Sequence, residues 1–257
     1  MKKLKKYALH IVFVLLVLLY FFPQYAKRTL LSPFISQKYD AVLEISAQDY
    51  FGDVANTPFV FERNSKQYTL VPQTRYAVTG RVGIVERYDT LWGKFYRGHS
   101  QKDYINLVPQ DVFLVIGDMA KDEIFKKFVF EHEERLGRVL CKGVKYRKSF
   151  MPSAMSRQEA KENWEKYQEC NRFIKQNELN NYHPIPANER INQALLMLTK
   201  GDVVYLEGLL VDVPQMRLKT GRRKNQYHEN MIAGGVNPGM CFILYTTRVI
   251  LNGRIYE

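Results

Sequence analysis

The pattern of hydrophobic and polar positions divides the chain into one long apolar segment followed by shorter alternating segments. Residues 7–22 contain no formally charged side chain. Beyond them, apolar and polar residues alternate with the period of two that is typical of β-strands. This alternation predicts a hairpin over 58–72 with its turn at 64–66, and strands over 75–88, 107–119, 202–213 and 241–251. Gly80 interrupts the first of these strands, which is typical of a bulge or of the sharp coiling of a small barrel.

Helical spacing marks two further segments. Ser156 and Glu159 form a capping box ahead of apolar residues at helical spacing, so residues 142–180 are predicted to be a basic loop and an amphipathic helix. Asn188 is a favourable N-cap, and the apolar stripe behind it predicts a second helix that stops at Gly201. Residues 120–127 also have helical character, whereas residues 128–130 are too few to assign.

These elements predict the fold class. Many short strands, two or three helices and no strand–helix alternation favour an α+β fold built on a small antiparallel β-barrel or curled sheet. One amino-terminal transmembrane helix precedes it. The predicted organisation is a membrane anchor with a short cytoplasmic tail at 1–28, a linker at 29–56, and an extracytoplasmic domain at 57–257 with an inserted loop and helix at 142–180.

The charge of the chain is unevenly distributed. The 257 residues include 38 Lys+Arg and 26 Asp+Glu, a formal net charge of +12, and the 46% hydrophobic content is that of a globular protein rather than a multi-span membrane protein. Residues 1–28 contain six of the basic residues, four before the apolar run and two after it. By the positive-inside rule this asymmetry predicts a cytoplasmic amino terminus and an extracytoplasmic main domain.

The apolar run itself predicts a single membrane anchor. As a helix it would cover about 24 Å, less than the hydrocarbon core of about 30 Å, so a cleaved signal peptide is an alternative. The candidate cleavage site at 24–26 lacks the small residue required three positions before the cut. A core helix of a soluble protein is a second alternative, which the lack of a polar face other than His10 disfavours. We expect a single-pass protein of the inner (cytoplasmic) membrane, with the lipid bilayer as a partner.

The three cysteines, Cys141, Cys170 and Cys241, are too few for a disulfide scaffold and lack C-x-x-C spacing. In an exported domain one pair could oxidise. Cys141 and Cys170 bracket the inserted segment and are the favoured pair. Cys241 lies in an apolar strand, where a small buried residue is the ordinary explanation.

Five stretches of the chain carry a resemblance to a family: TRYAVTGRVGIVERY (74–88), LVPQDVFLVIGDM (107–119), YHPIPANERINQAL (182–195), GDVVYLEGLLVDV (201–213) and NPGMCFILYTTRV (237–249). They resemble uncharacterised bacterial proteins with one amino-terminal membrane segment and an extracytoplasmic domain. The family has no known activity. The resemblance therefore implies architecture and membrane anchorage rather than a reaction.

His183 is the candidate catalytic residue, because the rigid backbone of Pro184 and Pro186 follows it just ahead of a predicted helix N-terminus. A helix N-terminus disfavours the imidazolium, so a neutral, bracing histidine is the alternative that we favour. The pair His132 and Glu133 lacks the second histidine of a zinc-binding helix, and no Gly-x-Ser-x-Gly elbow is present. We therefore expect no metal site and no cofactor.

A polybasic segment is the strongest surface signal. Its five cations are Arg217, Lys219, Arg222, Arg223 and Lys224. They could bind anionic headgroups, phosphorylated glycans or nucleic acid, or could simply be solvated. Outside the cytoplasm, lipid or an anionic envelope polymer is more available than nucleic acid.

Three functional hypotheses follow. The first is a non-enzymatic, membrane-anchored envelope protein that binds a partner protein or an anionic envelope surface. The second is an OB-like nucleic-acid-binding module, which needs exposed rings such as Tyr76, Tyr88 or Tyr205. The third is a hydrolase that uses His183 with a carboxylate from the neighbouring strand.

Overall fold

The structure, a computed structural model, describes residues 36–46, 48–88, 106–133, 136–146, 156–214 and 241–257. The predicted anchor at 1–28 and the polybasic segment at 217–224 lie outside these ranges. Within them, no helix has both the length and the apolar character that crossing a bilayer requires.

The described part of the chain is a sheet-rich α+β fold. Its strands are β1 Gln37–Lys38, β2 Tyr50–Gly52, β3 Phe59–Arg63, β4 Lys66–Arg87, β5 Gln110–Val115, β6 Phe128–Glu133, β7 Leu136–Cys141, β8 Leu179–Pro186, β9 Val203–Asp212, β10 Cys241–Leu251 and β11 Arg254–Tyr256. Its α-helices are α1 Asp122–Phe125, α2 Arg157–Asn171 and α3 Glu189–Leu196.

The main sheet is curled into a circuit of five strands, in which β9 pairs with β4. β4 pairs with β5, β5 with β8, β8 with β10, β10 with β9, and β9 returns to β4. The β8–β10 pair is parallel, whereas the other four pairs of this circuit are antiparallel. The expectation of a curled sheet is therefore confirmed, but the sheet is mixed rather than purely antiparallel.

The curl depends on β4, which is 22 residues long. The predicted hairpin is present, with positive φ angles of 52° at Asn64 and 60° at Ser65, but its second strand continues into the strand predicted over 75–88. The pairing register of β4 with β5 shifts between Val82 and Ile84. That irregularity lies at Gly83 rather than at Gly80, and a Cβ on Gly83 would come within 2.9 Å of the Phe130 ring.

All five strands of the circuit contribute to one buried cluster, which therefore lies inside the curl. Its members include Tyr76, Leu114, Tyr182, Leu206 and Leu244. Helix α3 adds its predicted apolar stripe to this cluster, including Ile191, Ala194 and Leu195. Asn188 caps this helix as predicted, since its side chain accepts a hydrogen bond from the Ile191 amide. The helix ends at Leu196, however, earlier than the predicted stop at Gly201.

The segment between β5 and β8 covers the outer face of the sheet. It contains α1, the β6–β7 hairpin and α2, so it begins well before the insertion predicted at 142–180. Phe128 and Phe130 of the hairpin are buried against Phe113 of β5. Residues 128–130, left unassigned from the sequence, are thus the start of a strand that buries one of its two faces.

Helix α2 is the helix predicted within 142–180, and Ser156 and Glu159 form its capping box. A disulfide joins Cys141, the last residue of β7, to Cys170 near the end of α2, with an S–S distance of 2.06 Å. This is the pair that the sequence favoured. It ties the helix to the hairpin, and the hairpin in turn packs on the sheet.

Candidate functional site

His183 lies in strand β8, which corrects the prediction of a loop at a helix N-terminus. Val112 of β5 is paired with Tyr182 of β8, and continuing that register places Asp111 opposite His183. The Nδ1 atom of His183 is 2.5 Å from Oδ1 of Asp111. This contact with the carboxylate orients the imidazole.

This Asp111–His183 pair is sealed from solvent. The exposed fraction is 2% for the side chain of His183 and 0% for that of Asp111. The Tyr88 hydroxyl donates a hydrogen bond to the other carboxylate oxygen, Oδ2. A buried carboxylate must be satisfied in this way, because an unpaired charge in the interior is costly.

The predicted carboxylate from a neighbouring strand is therefore present, and it is Asp111. A general base must nevertheless reach the proton that it abstracts, within hydrogen-bond distance or through one water. With 2% exposure, His183 presents no face to a substrate. The geometry supports the bracing role for His183 rather than the catalytic one.

Two further polar side chains extend this cluster. The β4–β5 register places Glu86 opposite Asp111 on the outer face of the sheet. His132 comes from β6, and its Nδ1 lies against Oε2 of Glu86. Its Nε2 is 3.4 Å from Oδ1 of Asn181 in β8. Glu86, Asp111 and His132 each offer one ligand atom, and these atoms lie within 4.8 Å of one another.

Glu86 and His132 could not be assigned to a common site from the sequence. They belong to strands that are distant in the chain, and only the strand register and the fold of the hairpin bring them together. The only signal available was that Glu86, Asp111 and His132 are polar residues on strands that also contribute apolar side chains to the core. Such an arrangement can hold a shared proton or a divalent cation.

An open groove lies elsewhere, on the outer surface of β4 and β9. Its volume is about 620 Å³, and it is lined by residues that include Tyr50, Arg75, Tyr205, Glu207 and Gly208. Tyr205 donates a hydrogen bond of 2.8 Å to Glu207, and burial, reinforced by that bond, raises the pKa of Tyr205 to about 12. The groove combines rings with both signs of charge, which suits a polar or amphipathic segment rather than a purely anionic one.

The rings proposed for nucleic-acid stacking are mostly inaccessible. Tyr76 and Tyr88 are 1% and 0% exposed, and Tyr205 is half-buried in the groove. The inserted segment also covers the outer face of β5 and β8 with apolar side chains. These three tyrosines therefore do not form the exposed platform on which single strands would stack.

Two long connections of the main sheet, from β4 to β5 and from β9 to β10, are flanked by residues that pack together. Tyr88, Leu107 and Val108 flank the connection from β4 to β5, while Val211 and Val213 precede the connection from β9 to β10. These five residues belong to a single buried cluster. The second connection contains the five predicted anion-binding cations, which themselves lie outside the described residues.

No family model matches this chain, and neither a curated protein nor a solved structure matches it. Its function therefore has to be inferred from its own residues.

Proposed function

We propose that this chain is a non-enzymatic, single-pass protein of the bacterial inner membrane whose extracytoplasmic domain binds an anionic envelope surface. The binding residues would be Arg217, Lys219, Arg222, Arg223 and Lys224. The observation that carries the proposal is one buried cluster, which contains residues just ahead of the connection with the polybasic segment and residues that flank the connection from β4 to β5.

The disulfide supports an extracytoplasmic location for the domain. Disulfides persist in oxidising compartments and are rare in the cytosol, where thiols are kept reduced. The Cys141–Cys170 bond lies in the covering segment, on the described domain itself. A domain that carries such a bond fits delivery across the membrane behind residues 1–28.

We further propose that the curled sheet is a small OB-type barrel. In support, the circuit takes its five strands in the order first, second, third, fifth, fourth, and helix α3 lies between the third and the fourth. In OB-folds the connections between strands 1 and 2 and between strands 4 and 5 contribute to ligand binding. The corresponding connections here run from β4 to β5 and from β9 to β10, and their flanking residues belong to one buried cluster.

The same comparison favours an anionic surface over nucleic acid. OB-folds bind oligonucleotides on the face of their second and third strands. In this chain that face belongs to β5 and β8, and Phe128 and Phe130 of the inserted hairpin pack on it. We therefore assign binding to the connections rather than to this face.

The test uses the full chain in nanodiscs of zwitterionic lipid, mixed with vesicles that contain or lack phosphatidylglycerol. We expect salt-dependent co-flotation with the anionic vesicles alone. Each basic residue near an anionic membrane contributes about 1 kcal/mol. The triple variant Arg222→Ala, Arg223→Ala, Lys224→Ala should therefore bind roughly 100-fold more weakly.

A matched control removes three positive charges from helix α2, through Arg157→Ala, Lys161→Ala and Lys166→Ala. All three residues are exposed on the described surface. If both triple variants lose binding equally, the effect is one of net charge and the proposed site is wrong. A salt-dependent gel shift with single-stranded DNA, in the absence of vesicle binding, would support the OB-like nucleic-acid alternative instead.

A further inference from the structure

We propose that residues 42–46 and 48–52, here called the strap, form a pH-sensitive latch on the curled sheet, which loosens when Asp49 loses its proton. The strap ends in β2, which pairs with β4. Asp49 immediately precedes β2 and carries the titrating group. The latch is a conformational switch within the described domain, and it is separate from the basic segment to which we assign binding.

The strap fills the place where two strands of the sheet separate. The pairing of β4 with β5 reaches Arg81 and Val115. Beyond that pair, the Ser46 amide donates to the Thr79 carbonyl at 2.9 Å, and the Ser46 carbonyl accepts from the Gly117 amide at 2.9 Å. The Ser46 hydroxyl oxygen also accepts from the Thr79 amide. Ser46 therefore bridges the two separating strands, and these bonds break when the strap leaves.

Hydrogen bonds, more than apolar burial, hold the strap to the sheet. β2 pairs with residues 75–77 of β4, and the Thr74 hydroxyl donates to the Gly52 carbonyl at 2.6 Å. Val42 and Tyr50 are 88% and 63% exposed, so most of their apolar surface is already in water. Segments with few buried apolar contacts open locally at a lower free-energy cost than the core. The strap can therefore leave while the rest of the sheet stays folded.

Asp49 points from the strap towards buried tyrosines of the sheet. Its Oδ2 atom accepts from the Asn180 side chain at 2.9 Å, and the Tyr76 hydroxyl also donates to this carboxyl group. The hydroxyl oxygens of Tyr76 and Tyr182 are 2.5 Å apart, and both residues belong to the buried cluster inside the curl. The carboxyl group thus ends a chain of hydrogen bonds that reaches the interior of the domain.

The hydrogen-bond donors to Asp49 are neutral. Burial raises the pKa of Tyr76 and of Tyr182 well above 10.0, so both hydroxyls keep their protons near neutral pH, and Asn180 is uncharged. Burial also raises the pKa of Asp49 above 3.8, and the hydrogen bonds from Tyr76 and Asn180 offset this only in part. The ionised carboxylate is therefore less well accommodated here than the protonated acid.

Charged side chains near the strap are engaged elsewhere or exposed. They are Glu44, Arg75, Asp118, Lys175 and Glu178. Arg75 is exposed and the next residue of β4 is buried, so alternation directs the guanidinium away from the interior. Lys175 pairs with Glu178 at 3.0 Å and with Asp118 at 2.7 Å. Within the described ranges, the hydrogen bonds that Asp49 receives thus come from no cation.

Deprotonation therefore weakens the latch. In the released strap Asp49 would titrate near 3.8, whereas burial gives the docked strap a higher pKa. Docking is strongest below pH 3.8 and weakens as pH rises through the docked pKa. Between these two values, each pH unit raises the ratio of released to docked strap by at most about tenfold. Because Ser46 and Tyr50 line the groove on β4 and β9, release removes one wall of that groove.

Hydrogen exchange of the full chain in nanodiscs, followed by mass spectrometry from about pH 4 to about pH 8, tests the latch. The amides to follow are those of Ser46, Thr79 and Gly117, which bond between the strap and the sheet. After correction for intrinsic exchange, their protection should fall by at most about tenfold per pH unit and then level off. Peptides from β10 should keep their protection.

Three variants separate the carboxyl group from its surroundings. Asp49→Asn should show no dependence of protection on pH, because it removes the titrating group and keeps an acceptor. Asp53→Asn is the matched control, since Asp53 is an exposed acid that directly follows β2, and it should behave as the wild-type chain does. Asn180→Ala removes a donor to the carboxylate, so it should move the midpoint of release to higher pH.

If Asp49→Asn does not fold, the wild-type curve and the shift in Asn180→Ala decide. Wild-type protection at Ser46, Thr79 and Gly117 that is equal at both ends of the pH range would overturn the proposal. An Asp49→Asn chain that responds to pH as the wild type does would overturn it as well. Loss of protection in the strap and β10 together would show unfolding of the whole sheet instead of a latch.

Discussion

A polar side chain is buried in this fold where its individual atoms have hydrogen-bonding partners. Asp111 is fully buried, and both of its carboxylate oxygens have partners: Tyr88, which follows β4, and His183 of β8. Those partners were not predictable, because strand register cannot be derived from alternation alone: a slip of one residue would send Asp111 to the opposite face. From the sequence we favoured a bracing role for His183, and that role stays a prediction. The sequence placed His183 beside a helix end, whereas in the structure its partner is Asp111 of a neighbouring strand.

The close packing of the backbone around Gly208 gives a prediction about stability. A Cβ at this position would lie 2.0 Å from the carbonyl oxygen of Tyr245, a backbone atom that cannot move aside cheaply. Gly208→Ala should therefore destabilise the domain by about 1–3 kcal/mol, the usual range for overpacking. The measurement is the midpoint of urea unfolding. Gly52→Ala is the control, since there the nearest atoms belong to the flexible Tyr50 side chain, and equal losses in both variants would contradict the argument.

Asp49 carries the prediction on pH. Burial raises the pKa of Asp49 above 3.8, and hydrogen bonds from Tyr76 and Asn180 offset this only in part. A raised folded-state pKa means that the folded chain holds the proton more tightly, so its contribution to stability is complete below pH 3.8 and is lost as pH rises through the folded pKa. Asp49→Asn should gain stability relative to wild type as pH rises to neutrality. A difference in unfolding free energy that does not change with pH would contradict the prediction.

Elements were predictable where their signal is local. The bounds of β10 and the two helix caps follow from residues that are adjacent in the chain, and the structure has them as expected. The β6–β7 hairpin was missed because its strands are short and Phe128 and Phe130 are buried by contacts with Phe113 from a distant strand. The length of β4 was missed because the sequence was divided into two strands where β4 is one. Its continuity depends on its pairing with β9 and β5, which alternation alone does not reveal.

The disulfide gives the prediction at the scale of elements. It closes a loop with a sequence separation of 29 residues between β7 and α2. Replacing Cys141 and Cys170 with serine should lower the free energy of unfolding by about 2–4 kcal/mol. Reductant should destabilise the wild-type chain by a similar amount and leave the double variant unchanged. A wild-type chain whose urea midpoint does not respond to reductant would show that the bond does not support the fold.

At the scale of the whole molecule, the apolar residues of the described ranges form three buried clusters. The curl encloses one core, and α3 adds its apolar stripe to it. The insertion covers the outer face of β5 and β8 and forms a second core with it. The long connections share a third cluster at their roots. The sequence predicted the fold class because composition and alternation are summed over many residues, whereas this division of surfaces depends on which strands pair.

The last prediction concerns the orientation of the molecule in the membrane. The proposal of an anionic envelope partner depends on an extracytoplasmic location of the domain. Alkaline phosphatase fused after Glu257 should be active, because that enzyme needs the oxidising conditions outside the cytoplasm. Replacing Lys2, Lys3, Lys5 and Lys6 with glutamate should reduce this activity, since the positive charges ahead of residues 7–22 set the orientation. In the same cells, Cys141 and Cys170 should resist alkylation until a reductant is added. An inactive fusion together with freely alkylated cysteines would place the domain in the cytoplasm, where the basic segment would meet nucleic acid before any envelope surface.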